Sequence, residues 1–99
     1  MSKKVFMLTT PNCGYCTQAR NLIEQKYPDL NEDQFRFYTF AGEIEQSEME
    51  AKVVMDFARH TGVRGVPFTV LFENGRITNA VRGFKPQSLF SLIDRVLEN

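Results

Sequence analysis

Cys13-Gly14-Tyr15-Cys16 holds both cysteines of the 99-residue chain and follows a short apolar run that ends at Leu8. The run predicts a buried strand, and apolar residues recur at helical spacing after the cysteines, so the pair opens a helix. Cysteines three residues apart at a helix start lie on one face and can form a disulfide. The unpaired N–H groups and the positive end of the helix lower the pKa of the first thiol below the roughly 8.5 of free cysteine. Cys13 is therefore the predicted nucleophile, and Cys16 is the thiol that resolves the mixed disulfide.

The sequence around this pair predicts a strand, a helix and a second strand. The first strand covers Lys3 to Thr9, and the helix runs from about Cys13 to Tyr27, where Pro28-Asp29 ends the pattern. Aromatic and polar residues then alternate from Phe35 in a second strand that reaches Ala41-Gly42. Because a helix joins the two strands, we expect them to pair in parallel.

Two further helices are indicated by capping signals and apolar stripes. Ser47 followed by Glu50 is a capping box, and Gly62 is a natural end for the helix that it starts. Pro86 suits the first turn of the last helix. The apolar stripes comprise Val53, Val54, Phe57 and Ala58 in the first of these helices, and Leu89, Leu92, Ile93, Val96 and Leu97 in the second.

A hairpin is predicted between these two helices. Pro67 precedes a third strand, and Asn74-Gly75 is a strong turn signal, so Arg76 to Val81 should return antiparallel. The predicted order is β-α-β-α-β-β-α, an α/β fold with a four-stranded mixed sheet flanked by three helices. No repeat or linker divides the sequence, so we predict a single domain over residues 1–99.

The balance of charges argues against nucleic acid and membranes as partners. Twelve Lys and Arg residues offset twelve Asp and Glu residues, so no overall field attracts nucleic acid or an anionic membrane surface. No apolar run approaches the roughly 18 residues of a membrane span, and the N-terminus lacks a signal-peptide pattern. We therefore expect a monomer that works in the cytoplasm.

Metal binding, a structural cross-link and coincidence are the alternative interpretations of the cysteine pair. Zinc normally takes four ligands, and the one conventional soft-site candidate beyond the cysteines is His60, on another predicted helix. A single C-x-x-C in a protein expected to work in the cytoplasm indicates redox chemistry or metal binding more than a disulfide scaffold. We predict redox chemistry without a bound metal.

Two parts of the chain resemble a known superfamily. Residues 9–16, Thr-Thr-Pro-Asn-Cys-Gly-Tyr-Cys, resemble the start of a glutaredoxin, whose usual motif is Cys-Pro-Tyr-Cys. Residues 62–68 and 71–75, followed by Gly83 before the last helix, resemble a thioredoxin. The resemblance covers nearly the whole chain, and both parts imply the thioredoxin fold.

The same resemblance implies a substrate site around the redox pair. The family places a cis proline beside the two thiols, and Pro67 matches it. The backbone of Val66 would then pair with an extended substrate. The other candidate substrate-binding residues are Gly14, Tyr15, Gly83 and Phe84.

The chain departs from both families at several positions. Asn12 stands where thioredoxins usually carry Trp, and Met7 stands where they carry a buried Asp that accepts the proton of the second cysteine. Gly65-Val66-Pro67 replaces the Thr-Val-Pro of glutaredoxins that bind glutathione, and Gly83-Phe84-Lys85 replaces their Gly-Gly and nearby Asp. The remaining candidate donors to a glutathione carboxylate are Arg64 and Lys85.

The function that these features indicate is the reduction of protein disulfides by dithiol exchange. Electrons would come from a flavin-dependent thioredoxin reductase or from glutathione, and no cofactor would be bound. One alternative is a glutathione-dependent glutaredoxin that acts on mixed disulfides. A second alternative, from another class, is a metal or iron–sulfur carrier that uses Cys13 in a dimer.

Overall fold

The computed structural model describes residues 3–39, 49–62 and 65–98. Within these ranges, seven elements follow one another in the predicted order β-α-β-α-β-β-α. They are β1 (Lys3–Thr9), α1 (Gly14–Lys26), β2 (Phe35–Thr39), α2 (Met49–Thr61), β3 (Phe68–Glu73), β4 (Arg76–Arg82) and α3 (Pro86–Leu97). The four strands form one mixed sheet in the order β2-β1-β3-β4, which confirms the predicted fold class.

The pairing of the strands brings the functional segments to one edge of the sheet. β1 runs parallel to β2 and antiparallel to β3, and β3 is antiparallel to β4. The carboxyl ends of β1 and β4 therefore lie at the same edge as the start of β3. At this edge Leu8 is opposite Phe68, which is opposite Arg82. Helices α1 and α3 both begin at this edge, beside Pro67, which precedes β3.

The hairpin between β3 and β4 has the geometry that its sequence predicts. Asn74 and Gly75 both have positive φ, at 55° and 81°. Two consecutive residues in the left-handed region form the tight turn that matches the twist of a hairpin, and Asn and Gly adopt this conformation at low cost. The turn thus sets the antiparallel return of β4 across β3.

The core lies on both faces of the sheet. Helices α1 and α3 cover one face, and α2 covers the other. The buried residues of the first face are Val5, Met7, Ala19, Ile23, Phe35, Leu71, Val81, Leu89, Leu92, Ile93 and Val96. Those of the second face are Phe6, Leu8, Ala51, Val54, Ala58, Phe68, Val70 and Phe72. Residues of β1 alternate between the two clusters, as the pleat of a strand requires.

Two residues of the predicted apolar stripes are not part of this core. Val53 in α2 is 43% exposed and Leu97 at the end of α3 is 45% exposed, because each lies at the margin of its buried helix face. The capping box at Ser47 and the extension of the second strand to Ala41-Gly42 lie outside the described residues. Within those residues, β2 ends at Thr39.

Candidate active site

The two cysteines form a disulfide at the start of α1. Their Cα atoms are 5.2 Å apart. Cys13 is the N-cap residue with extended backbone angles, and its Sγ accepts a hydrogen bond of 3.1 Å from the backbone N–H of Cys16. Cys13 is partly exposed, whereas Cys16 is only 6% exposed. Cys13 is therefore the more accessible of the two cysteines.

The helix start is also electrostatically suited to a thiolate. A cap sulfur replaces the usual hydroxyl or carboxylate as the acceptor for an unpaired N–H group of the first turn. The first turn of α1 contains no acidic residue that would offset the positive end of the helix. Both features favour negative charge on a sulfur at this position.

The segment before β3 lies against the redox pair. The Val66–Pro67 peptide bond is cis, as the family resemblance implies. The carbonyl oxygen of Val66 lies 4.0 Å from the Sγ of Cys13, so this bond is close to the redox pair. The Pro67 carbonyl oxygen accepts a 2.9 Å hydrogen bond from the N–H of Gly83, whose positive φ of 77° favours glycine. The three predicted site segments thus meet at one point.

Tyr15 and Phe84 form an aromatic wall beside the pair. Their rings stack with centroids 5.8 Å apart and an interplanar angle of 27°. Tyr15 is 62% exposed, and Phe84 is partly buried against the core on the α1 and α3 face of the sheet. The wall joins the start of α1 to the turn between β4 and α3. It presents aromatic surface where a substrate would approach Cys13.

Gly14, between the two cysteines, faces open space. A Cβ atom at this position would meet no atom within 4 Å.

Lys85 is exposed and is the N-cap residue of α3, where its side chain makes no capping hydrogen bond. Arg64 lies outside the described residues. The structure therefore brings one of the two candidate glutathione donors to the edge of the sheet where the redox pair lies.

A cleft beside the cysteines contains residues that sequence reasoning missed. Its volume is about 180 Å³, and it is lined by both cysteines together with Thr9, Thr39 and Arg20, among others. Thr9 is 7% exposed and its hydroxyl donates a 3.0 Å hydrogen bond to the Tyr38 carbonyl oxygen. The signal that could have identified Thr9 is the two-residue period of strand β1, because this period places Thr9 on the same face as Met7.

Met7 is fully buried at the position where the resemblance implies an aspartate in thioredoxins. It belongs to the apolar cluster under α1 and α3. In the parts of the chain that the structure describes, no group of three or more His, Cys, Asp or Glu residues is placed to hold a metal ion. His60 is exposed in the last turn of α2.

Comparison with known families identifies the domain type. Residues 2–96 match the family model described as a thioredoxin-like domain. A comparison with curated protein sequences gives no match. No helix among residues 3–39, 49–62 and 65–98 is both long and apolar enough to cross a membrane.

Solved structures share the fold at low sequence identity. Thioredoxin from Aeropyrum pernix has a TM-score of 0.64 and 19% identity, over 98% of this chain and 74% of that one. Spinach chloroplast thioredoxin f, in its short form, has a TM-score of 0.63 and 18% identity, over 98% of this chain and 78% of that one. Malassezia sympodialis thioredoxin has a TM-score of 0.59 and 23% identity, with coverage of 95% and 74%.

Proposed function

The chain belongs to the thioredoxin-like domain family, and from this premise we propose that it reduces disulfide bonds in other proteins through Cys13 and Cys16. The fold and the C-x-x-C pair together support thiol–disulfide oxidoreductase activity. The observation that supports protein disulfides as the substrates is the position of the Cys13 sulfur. It caps α1, is partly exposed, and lies 4.0 Å from the Val66 carbonyl oxygen, where an extended polypeptide can pair with the backbone.

The reaction proceeds by two thiol–disulfide exchange steps. The Cys13 thiolate attacks one sulfur of the substrate disulfide, that S–S bond breaks, and the other substrate sulfur leaves as a thiolate that takes up a proton. The Cys16 thiolate then attacks the Cys13 sulfur of the mixed disulfide. The Cys13–Cys16 bond forms, and the second substrate sulfur leaves and is protonated. Two electrons have passed to the substrate, and the protein is left in the oxidised form seen here.

The proposed substrates are disulfides in extended segments of proteins. Backbone N–H and C=O groups at Val66 would hold the segment beside Cys13, while the wall of Tyr15 and Phe84 would contact its side chains. Gly14, between the two cysteines, faces open space. These contacts use the substrate's main chain and its apolar surface, so they suit many protein disulfides rather than one small molecule.

We further propose that a thioredoxin-type reductase returns the electrons to Cys13 and Cys16. Glutathione carries two carboxylates, which need charge-assisted donors or fixed N–H groups. Of the two candidate cations, Lys85 is exposed and makes no capping bond through its side chain. The proposal includes action as a single chain, without a bound cofactor, in the cytoplasm, where a dithiol is kept reduced.

Turnover of insulin disulfides with each electron donor tests the proposal. One reaction contains NADPH and thioredoxin reductase, and the other contains millimolar glutathione with glutathione reductase and NADPH. At matched protein concentration we expect faster turnover with thioredoxin reductase. Lys85→Ala and Arg64→Ala should leave the preference unchanged, as should Arg59→Ala, which removes an exposed cation on α2.

The opposite pattern would support the glutaredoxin alternative. In that case glutathione would give the faster turnover, and Arg64→Ala or Lys85→Ala would slow it while Arg59→Ala would not. Absence of turnover with both donors would contradict the proposed function itself. Measurement of iron and zinc in the same purified sample tests the carrier alternative, which requires a stoichiometric metal.

A further inference from the structure

The buried thiol Cys16 must lose a proton before it can attack, and the fold provides no carboxylate for this step from β1. This inference rests on the proposed function. Cys16 is 6% exposed, and the residue beneath α1 on β1 is Met7, which has no exposed surface. A thioether cannot accept a proton at neutral pH. Another group or the solvent must therefore take the proton from Cys16.

The cleft beside the redox pair connects Cys16 to solvent. It has a volume of about 180 Å³, and Cys16 lies in its wall together with Thr9, Phe37 and Thr39. Because Thr39 is exposed, the cleft reaches the molecular surface. A water molecule occupies about 30 Å³ in the liquid, so the cleft has room for several.

Two hydroxyl groups in the cleft can hold water in a fixed position. Thr9 and Thr39 are register partners on the parallel strands β1 and β2, and their Oγ1 atoms are 3.1 Å apart. The hydroxyl of Thr9 donates to the Tyr38 carbonyl oxygen at 3.0 Å, so the hydroxyl of Thr39 donates to Thr9. Each oxygen then keeps a lone pair that can accept a hydrogen bond from water.

Among the described residues, Arg20 is the charged side chain that lines the cleft. From α1, Arg20 lines the cleft one turn beyond Cys16, with its guanidinium 4.8 Å from the centre of the Phe37 ring. Its Nε also donates to Glu24 at 3.2 Å. Among the described residues that line the cleft, β1 and β2 contribute hydroxyl and apolar groups, and none contributes a carboxylate. A cation beside a thiol favours the thiolate form, and the ion pair with Glu24 offsets part of this effect for Arg20.

We propose that Cys16 releases its proton to water in this cleft and that Thr9 and Thr39 are positioning residues for that water. The S–H bond of Cys16 breaks and its proton passes to water. The resulting thiolate attacks the Cys13 sulfur, the bond from Cys13 to the substrate sulfur breaks, and the substrate thiolate leaves and is protonated. No oxidant or reductant other than the substrate disulfide is needed.

Stopped-flow reaction of the reduced protein with an aromatic disulfide that releases a coloured thiolate tests this proposal. The first thiolate is released when Cys13 attacks, at a rate that depends on disulfide concentration. The second is released when Cys16 resolves the mixed disulfide, at a rate that does not. Thr9→Val and Thr39→Val keep the side-chain shape and remove the hydroxyl.

Each of these variants should slow the second phase about fivefold, as loss of one neutral hydrogen bond would. The pH at which the second phase is half-maximal should rise, and the first phase should be unchanged. Thr9→Ser should restore the wild-type rate because it restores the hydroxyl. Thr78→Val, the same change in β4, is the control and should leave both phases unchanged. The circular dichroism of each variant reports whether it folds, and the exposed Thr39 keeps the test available if Thr9→Val does not fold.

Wild-type second-phase rates and pH profiles in Thr39→Val and in folded Thr9→Val would overturn the proposal. So would slowing by Thr69→Val alone, because the hydroxyl of Thr69 is buried in β3, has no hydrogen-bond partner among the described residues, and lies outside the cleft. The proposed function fails in a different way, since absence of the first phase in the wild-type protein would show that Cys13 is not a nucleophile for disulfides.

Discussion

Helices α1 and α3 begin side by side at the same edge of the sheet, yet they start in opposite ways. The first turn of α1 is capped by the Cys13 sulfur, which accepts a hydrogen bond from the N–H of Cys16. The start of α3 has no side-chain cap, and Pro86 in its first turn removes one of the N–H groups that would need an acceptor. One helix start is therefore capped by a sulfur atom, and the other relies on the restricted backbone of a proline.

The buried faces of the two helices differ as well. α3 buries four large aliphatic residues, whereas α1 buries Cys16, Ala19 and Ile23. The residues that α3 buries are Leu89, Leu92, Ile93 and Val96. Because apolar burial stabilises a fold in proportion to area, α3 contributes more to stability, whereas α1 holds the two thiols of the proposed reaction. Substitutions on the two helices should therefore affect different measurements.

The largest effect on activity is expected from Cys13→Ser. Serine is a good N-cap residue, so the start of α1 is preserved while the thiolate is lost. We expect turnover with protein disulfides to fall by at least about a thousandfold, because a catalytic nucleophile is removed. Under reducing conditions the thermal midpoint should stay close to that of the wild type. A variant that instead unfolds would contradict the division of roles between the two helices, in which α3 contributes more to stability and α1 holds the reacting thiols.

Cys16→Ser is the matched comparison at the second thiol. It should retain the first attack by Cys13 and then stop, since the mixed disulfide has no internal thiol to resolve it. Mass spectrometry after reaction with a disulfide substrate should show a stable adduct on this variant. The corresponding Cys13→Ser protein should form little or none. Equal adducts on both variants would remove the distinction between nucleophilic and resolving thiol.

The largest effect on stability is expected from Ile93→Ala in α3. Ile93 is 1% exposed, and truncation of such a residue costs about 2–5 kcal/mol of unfolding free energy, from lost burial and the cavity left behind. Ile93→Val should cost only about 0.5–1.5 kcal/mol. Denaturant unfolding gives these values directly. Turnover per folded molecule, measured well below the midpoint, should be unchanged in both, and a large loss of turnover would couple α3 to the chemistry.

A smaller effect is expected where the two helix starts touch. The Tyr15 and Phe84 rings stack at 5.8 Å, and such pairs contribute about 0.5–1.5 kcal/mol beyond their buried area. Tyr15→Ala and Phe84→Ala should each lower kcat/KM for a protein disulfide by about two- to tenfold. The double variant should lose less than the product of the two effects. Phe90→Ala, on α3 but away from the wall, should leave kcat/KM per folded molecule unchanged.

The smallest effect concerns the bond that joins the helices at the far end of α1. Burial raises the pKa of Tyr27 above its ordinary value of 10.0, as does the 2.7 Å hydrogen bond from its hydroxyl to the Asp94 carboxylate. Above pH 10 the unfolded chain therefore loses this proton before the folded chain does, and stability falls as pH rises. Tyr27→Phe should flatten that decline. Identical curves for both proteins between pH 9 and about pH 12 would show that this bond does not affect stability.

Much of the fold was predictable because local signals agreed with one another. The apolar run of β1 and the Asn74-Gly75 turn each specify one conformation, and all seven elements were predicted in the observed order. The apolar stripes were less informative at their margins. Val53 and Leu97 fit the helical spacing but face solvent, because spacing does not determine how wide a face the sheet covers.

The candidate site was predictable only in part. Sequence spacing places Cys13 and Cys16 at a helix start, and the family resemblance correctly implies the cis bond at Pro67. The roles of the surrounding residues remain predictions. The pairing of Thr9 with Thr39 depends on the register of two strands that are far apart in sequence, and no local pattern reports it. The same holds for the stack between Tyr15 and Phe84.

The rate of alkylation of each thiol in the reduced protein, measured against pH, tests most directly whether the start of α1 activates Cys13. Brief iodoacetamide labelling followed by peptide mass spectrometry separates the two cysteines. We predict that Cys13 is labelled first and that the buried Cys16 reacts later. The labelling rate of Cys13 should be half-maximal at a pH below the pKa of free cysteine, which is roughly 8.5. Faster labelling of Cys16, or a midpoint for Cys13 at or above that of free cysteine, would contradict the assignment of Cys13 as the nucleophile.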